Sequence, residues 1–268
     1  MTDVVAALLW KEDRFLICKR PVGKARAGLW EFAGGKVEQG ETEQDALRRE
    51  CMEELGVETG DFFLFLRVTH EYPDLKVRLS VYSARIKKGE PKLLEHSEMK
   101  WISPEEIEEY DFCPADTAVL EKILTEKKRY PFYGSLGVTG LKALAPREDL
   151  DVKKLYDLLS EIWCEYTCAP RLREKWSKDN KTEGQCSITA FLTQDLFGGK
   201  VYGVPLPNGN FHCYNEVDGV KFDLTSEQFG KEKLCYDNSP EQFRDAHFSK
   251  EEKRLRYEYL KKELEKRL

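Results

Sequence analysis

No apolar run in this chain approaches the roughly 20 residues that a membrane-spanning helix requires, so no membrane partner is expected. None of the eight cysteines form a C-x2-C pair, which argues against a zinc ribbon or a thioredoxin-type dithiol. The formal charge of -6 leaves no basic stripe of the kind a dedicated nucleic-acid binder carries, and direct nucleic-acid binding is not expected. There is no internal repeat and no low-complexity tract. The opening residues MTDVVAALLW have neither a basic region nor a cleavage site, and they read as a first strand, not a signal peptide. Cys18, Cys51 and Cys113, with the other thiols, read as mostly reduced core residues of a cytoplasmic protein.

What is present is enough apolar material (41% hydrophobic, 12% aromatic) for one large domain or two small ones over 268 residues. From Val4 to about Thr125 short β-branched and aromatic segments alternate with helical patterns. VVAALLW, RFLICKR, DFFLFLRVTHEY and VRLSVYSARI are strand-like, and a further short strand falls at Lys100-Trp101-Ile102. SPEEIEEYDF and PADTAVLEKILTEKK read as helices. RYPFYGSLGVTGLKALAP is rich in Gly and Pro without a period and reads as a connector whose aromatics pack on something. A second pattern begins near Asp149. Val152, Leu155, Leu159 and Ile162 mark one face of a helix, SITAFLTQDLF makes another, and FHCYNEV and VKFDLT form a hairpin around Asp218-Gly219. The expected organisation is a domain over 1–127, a connector over 128–148 and a smaller α+β domain over 149–268. The sequence specifies no oligomeric state.

The densest signal is GGKVEQGETEQDALRRECMEELGV, residues 34–57. Thr42 is placed to cap a helix over about Glu43–Leu55, and Gly56 to end it. Glu50, Glu53 and Glu54 stand at i, i+3 and i+4, which predicts carboxylates on one face beside a glycine-rich loop. Clustered hard oxygens suit Mg²⁺ or Mn²⁺, and a metal beside a loop of close backbone approach suits a diphosphate.

From Gly35 to Val57 the segment fits G-x5-E-x7-R-E-U-x-E-E-x-G-U (U apolar), with Cys51 a mild variant. It resembles the signature of the Nudix hydrolases, and the likeness to MutT-type members extends over residues 3 to 126. The resemblance implies an α/β/α sandwich with a mixed sheet. It implies metal binding by the carbonyl of Gly34 and by Glu50, Glu53, Glu54 and the loop residue Glu95, with Glu53, Glu54 and Glu95 carrying the chemistry. It makes Glu41 and Arg49 a buried brace, Arg20 a nucleotide-holding residue and Asp116 a reader of the base. His96 reads as a loop side chain and His70 as a strand residue. The implied reaction is hydrolysis of a nucleoside triphosphate to monophosphate and diphosphate, with 8-oxo-dGTP as substrate in a sanitising role. dCTP, CTP or a modified pyrimidine is the competitor, and a nucleotide sensor without turnover is a further alternative.

In the back half, Cys186 opens a predicted helix, where free N–H groups lower a thiol pKa. A two-residue turn at Asp218-Gly219 sets the strand register, so that His212 and Asp223 fall on the same sheet face. The order Cys, His, Asp resembles papain-like and transglutaminase-like folds, with Gln185 a candidate oxyanion donor, and points to a thiol hydrolase or transferase. GQCSITAFLTQDLFGGKV, HCYN and VKFDLTSEQF together resemble the YunG family. A non-catalytic interaction domain is the alternative.

Overall fold

A computed structural model describes residues 1–268 and divides into two compact units, Met1–Arg129 and Tyr130–Leu268. The expected connector is a correction. Tyr130, Phe132, Val138, Leu141 and Ala143 are buried in the apolar core of the second unit, so the segment belongs to that unit and does not join two finished ones. Its lack of a helix or strand period hid apolar residues that pack from turns. No helix is long and apolar enough to cross a membrane.

The first unit is built on a mixed sheet. Strand β1 (Thr2–Lys11) lies parallel to β6 (Lys76–Lys88) and antiparallel to β2 (Arg14–Lys19) and β4 (Ala33–Lys36). β2 also pairs with β3 (Trp30–Glu31) and β7 (Glu98–Ile102), and β5 (Glu58–Glu71) pairs with β6. The continuous run Val5–Leu9 is at most 4% exposed, as expected of a central strand covered on both faces. Helix α1 (Glu43–Leu55) is capped by the Thr42 side chain, which accepts from the Asp45 N–H, and it is closed by Gly56 in the left-handed region at φ 68°. Ala46, Leu47, Cys51 and Leu55 of α1 pack with Val5, Ala7, Leu9 and Ala33. Burying Leu47 and Leu55 stabilises this contact by about 1.5–3 kcal/mol each. SPEEIEEYDF forms a 3₁₀ helix over Pro104–Glu109 in place of the expected α-helix. A second 3₁₀ turn, Pro114–Asp116, leads into α2 (Thr117–Arg129).

The second unit holds α3 (Val152–Ile162), α4 (Cys186–Phe197), an antiparallel sheet of β8 (Lys200–Pro205), β9 (Phe211–Val217) and β10 (Val220–Phe222), then α5 (Arg244–Phe248) and α6 (Glu251–Glu265). Val217 pairs with Val220 across the Asp218-Gly219 turn. Cys213 and Val217 face the core with α4, while Tyr214 packs on the opposite side with Val204 and Tyr236.

Candidate active site

Strand β4 lies hard against β1 at the glycine pair, and α1 crosses beside it. A methyl group at Gly34 would run into the Val5 carbonyl oxygen, and one at Gly35 into the Glu50 carboxylate. The Gly34 N–H donates to Glu54 Oε2 at 2.9 Å. Glu50 and Glu54 line a cavity of about 480 Å³ together with the glycine pair. Arg20, Glu31, Tyr72 and Glu95 also line it, and Asp116 lies in its wall.

Glu53 is a correction to the one-face expectation. Its side chain is 51% exposed and accepts from Arg49 at 3.2 Å, and it is not part of the cavity wall. Positions i and i+4, Glu50 and Glu54, share the inward edge of the helix. The i+3 position lies far enough round for Arg49, four residues before it, to hold it. Arg49 is bonded widely. It donates to both oxygens of Glu41 at 2.8 and 3.0 Å, to the Lys36 carbonyl at 3.0 Å and to Glu50 at 2.8 Å. The Glu41–Arg49 brace is partly buried, at 22% and 24% side-chain exposure, and not fully so as the resemblance implied.

Residues 90–97 are tied to the end of α1, where the Lys92 and Leu94 N–H groups bond the last-turn carbonyls of Leu55 and Glu54. This brings Glu95 to the cavity mouth, paired with Lys24 at 2.7 Å. It also buries His96, a loop side chain as expected. Its Nε2 lies 3.3 Å from Glu31 and 3.9 Å from Glu54, and its Nδ1 is enclosed without a partner. Sequence reasoning passed over Glu31 and Tyr72 and gave His96 no part in the site, since they sit outside the motif and only long-range packing gathers them. Tyr72 accepts from the Ala115 N–H at 3.1 Å, and the Arg26 guanidinium stacks on its ring at 3.6 Å. His70 is a partly buried β5 residue set edge-on to Tyr72.

Burial raises the Glu54 carboxyl to about 7, with His96 and the Gly34 N–H opposing and Glu31 and Glu50 adding. Asp116 is 4% exposed, and its carboxyl is held well above the usual range by burial and by Glu31, against Arg20. Arg20 itself is bound to Glu31 and donates to the Ala25 carbonyl at 2.7 Å.

No group of three or more His, Cys, Asp or Glu side chains converges closely enough to hold a metal ion in this arrangement. The donors nevertheless fit a hard divalent cation. They are carboxylate oxygens on long side chains, and Glu54 carries a desolvation cost that a cation would relieve.

In the second unit, Cys186 is the first residue of α4, His212 is on β9, and Asp223 follows β10. His212 Nε2 lies 2.5 Å from Asp223 Oδ2. Gln185 is a correction. It is fully buried, its amide nitrogen donates to the Cys164 carbonyl at 3.1 Å, and it is not in the wall of the cavity that Cys186 and His212 line.

A family model described as NUDIX domain matches residues 4–122. A protein of Escherichia coli K12 named CTP pyrophosphohydrolase is 36% identical over 131 residues, which is 49% of this chain and 97% of that protein. The chain belongs to the Nudix hydrolases. A second Nudix relative, the 8-oxo-dGTP diphosphatase of Escherichia coli K12, is 33% identical over 42% of this chain and 88% of its own length. Beyond the Nudix region, a model described as YunG protein matches residues 151–268. Bacillus subtilis 168 has a protein named "Uncharacterized protein YunG" that is 35% identical over 27% of this chain and 57% of that protein. Nudix hydrolases as a family use divalent metals.

Proposed function

We propose that the first unit hydrolyses 8-oxo-dGTP to its monophosphate and diphosphate. The observation that carries this reading is a single cavity lined by the glycine pair, Glu50 and Glu54 and also by the buried Asp116. In this reading the backbone at Gly34 and Gly35 lets phosphate oxygens approach closely, and Glu50, Glu53, Glu54 and Glu95 with the Gly34 carbonyl would hold Mg²⁺. The cation would supply neutralisation of phosphate charge. Glu95 is free to turn from Lys24, and it or Glu53 takes the proton of the attacking water. Arg20, fixed by Glu31, faces the nucleotide.

Asp116 supports the choice of base. Held neutral, its carboxyl offers one donor and one acceptor. The N7–H donor and O6 acceptor of 8-oxoguanine match that pair, whereas ordinary guanine presents two acceptors at N7 and O6. A mismatch leaves a buried polar group unpaired, at about 1–3 kcal/mol. The second reading, CTP or dCTP, is favoured by the name of the 36%-identical relative and by the N4 amine and N3 of cytosine, which also match a neutral carboxyl. Diphosphate release with 8-oxo-dGTP, dGTP, dCTP and CTP in Mg²⁺ separates these. We expect kcat/KM for 8-oxo-dGTP to exceed that for dGTP by about tenfold to a hundredfold. Faster turnover of a cytidine nucleotide gives the second reading, and no turnover of any triphosphate overturns both.

A further inference from the structure

Cys186, His212 and Asp223 open on or support a cavity of about 670 Å³ that the nucleotide chemistry does not use. Cys186 and Cys213 lie in its wall with His212, and Phe229 packs edge-on against the imidazole at 4.7 Å. Asp223 is fully enclosed. It accepts from the Thr225 N–H and hydroxyl at 2.9 and 3.0 Å, and from the Tyr236 hydroxyl at 2.9 Å as well as from His212. Four donors leave it no freedom, and His212 Nε2 is fixed as the nitrogen that faces it. The other ring nitrogen remains for the thiol. Burial opposes charge on His212, but Asp223 and Cys186 outweigh it and raise the imidazole to about 10. The Cys213 thiol and His212 hold the Cys186 sulfur well below the usual thiol range, against burial. Both directions favour the thiolate–imidazolium form of the pair. The first-turn N–H groups of α4 have no intrahelical partners and face the same end.

The cavity is cationic. Arg171, Lys175 and Lys250 line it without any carboxylate partner, and Lys253 and Arg256 add two more positive groups against Glu183 and Glu252. We propose that this cavity is a second active site, in which Cys186 attacks the carbonyl carbon of an ester, thioester or amide that carries a nearby anionic group. His212 is the proton carrier and Asp223 positions it. The Cys186 sulfur forms a bond to the carbonyl carbon, and the oxygen takes the negative charge near the α4 N–H groups. On collapse the bond to the leaving group breaks, and that group departs with the proton of the His212 imidazolium. Water then attacks the thioester as neutral His212 takes its proton. The carbon–sulfur bond breaks, releasing the acid and restoring thiolate and imidazolium.

The test uses the full chain with 4-nitrophenyl hydrogen succinate and 4-nitrophenyl acetate. A stoichiometric burst of nitrophenolate is expected, with the acyl group on the Cys186 peptide by mass spectrometry. The anionic ester should react about tenfold faster or more, since a cationic cleft concentrates anions. Cys186→Ser should cut the burst about a hundredfold or more, and Cys235→Ser, at an exposed thiol, should leave it unchanged. Arg171→Ala with Lys250→Ala should slow the succinate ester towards the acetate rate. Asp223→Asn should move the pH midpoint of iodoacetamide labelling at Cys186 upward, because His212 then loses its countercharge. Iodoacetamide treatment of the unmutated chain, confined to Cys186, should abolish the burst without any change that could disturb folding. No burst, or acylation at Cys235 in place of Cys186, overturns the proposal, and equal rates for the two esters overturn its anionic substrate class.

Discussion

Adding one methyl group at Gly34 or at Gly35 should separate fold from chemistry in the Nudix unit. At Gly34 the methyl meets backbone: it runs into the Val5 carbonyl oxygen and lies 2.7 Å from the Ala6 Cα. Nothing there can rotate away. β4 must move off β1, loosening the ladder in which Ala6 faces Gly34 and Val5 faces Gly35. Overpacking of that kind costs about 3 kcal/mol. At Gly35 the methyl runs instead into the end of the Glu50 side chain, with Glu50 Oε2 2.7 Å away. A side chain can turn, at about 1 kcal/mol for an unfavourable rotamer. The melting temperature of the unit should thus fall by roughly 4 °C in Gly35→Ala and about three times as far in Gly34→Ala. In Gly35→Ala the main loss should be catalytic once folded protein is compared. Displacing the Glu50 carboxylate by an ångström or so should lower kcat about a hundredfold and raise the Mg²⁺ concentration needed for half activity. Diphosphate release across a Mg²⁺ titration, beside thermal melts, measures both. A Gly35→Ala enzyme with full kcat and an unchanged Mg²⁺ requirement would refute the reasoning that Glu50 serves the metal from where it stands.

Glu53→Gln should cut kcat about a hundredfold in the same diphosphate assay, although the side chain is turned out towards Arg49 in the structure. Near-full activity would remove Glu53 from the ligand set. The Asp116 carboxyl is raised in the fold, so its contribution to stability is complete below the unfolded value and is lost as pH rises through the folded one. Asp116→Asn, neutral throughout, should therefore gain melting temperature over the parent chain as pH rises above the ordinary carboxylate range, and a constant offset would contradict the shift. Thr42→Ala removes the acceptor for the Asp45 N–H and should destabilise the unit by about 1 kcal/mol in urea, an expectation that an unchanged midpoint would defeat.

Helix α1 was legible because its signals are local. Thr42, the apolar positions and Gly56 each act within a turn of one another, and the observed bounds Glu43–Leu55 coincide with those read from them. The His212–Asp223 pairing was legible for a related reason: a two-residue turn fixes register, and register fixes which face each side chain takes. His96 and Glu31 had no such signal. Nothing within a few residues of His96 says that its loop will be tied to the last carbonyls of α1, and that tie is what presses the imidazole between Glu31 and Glu54. Tyr130–Ala143 failed for a third reason. Apolar residues arranged on turns have no period, so composition marked the stretch as loop while packing made it core.

The cysteines show what it takes to favour a thiolate in a folded interior. Burial alone works against it. Cys51 and Cys113 are enclosed and pushed up to about 12, and Cys168 to about 11, so these side chains act as small apolar residues. Cys186 also pays desolvation, yet its thiol moves down. The difference lies in the Cys213 thiol that bonds its sulfur and in the imidazole beside it, which has its own charge supported by Asp223. Asp223 in turn stays fixed in the interior because Thr225 and Tyr236 satisfy its oxygens. A buried carboxylate with four donors is an expensive arrangement for a core that needed only packing, where an apolar residue of similar volume would serve as well or better. Its presence next to a histidine, a helix-initial thiol and an open cationic cavity is best explained by chemistry at the sulfur.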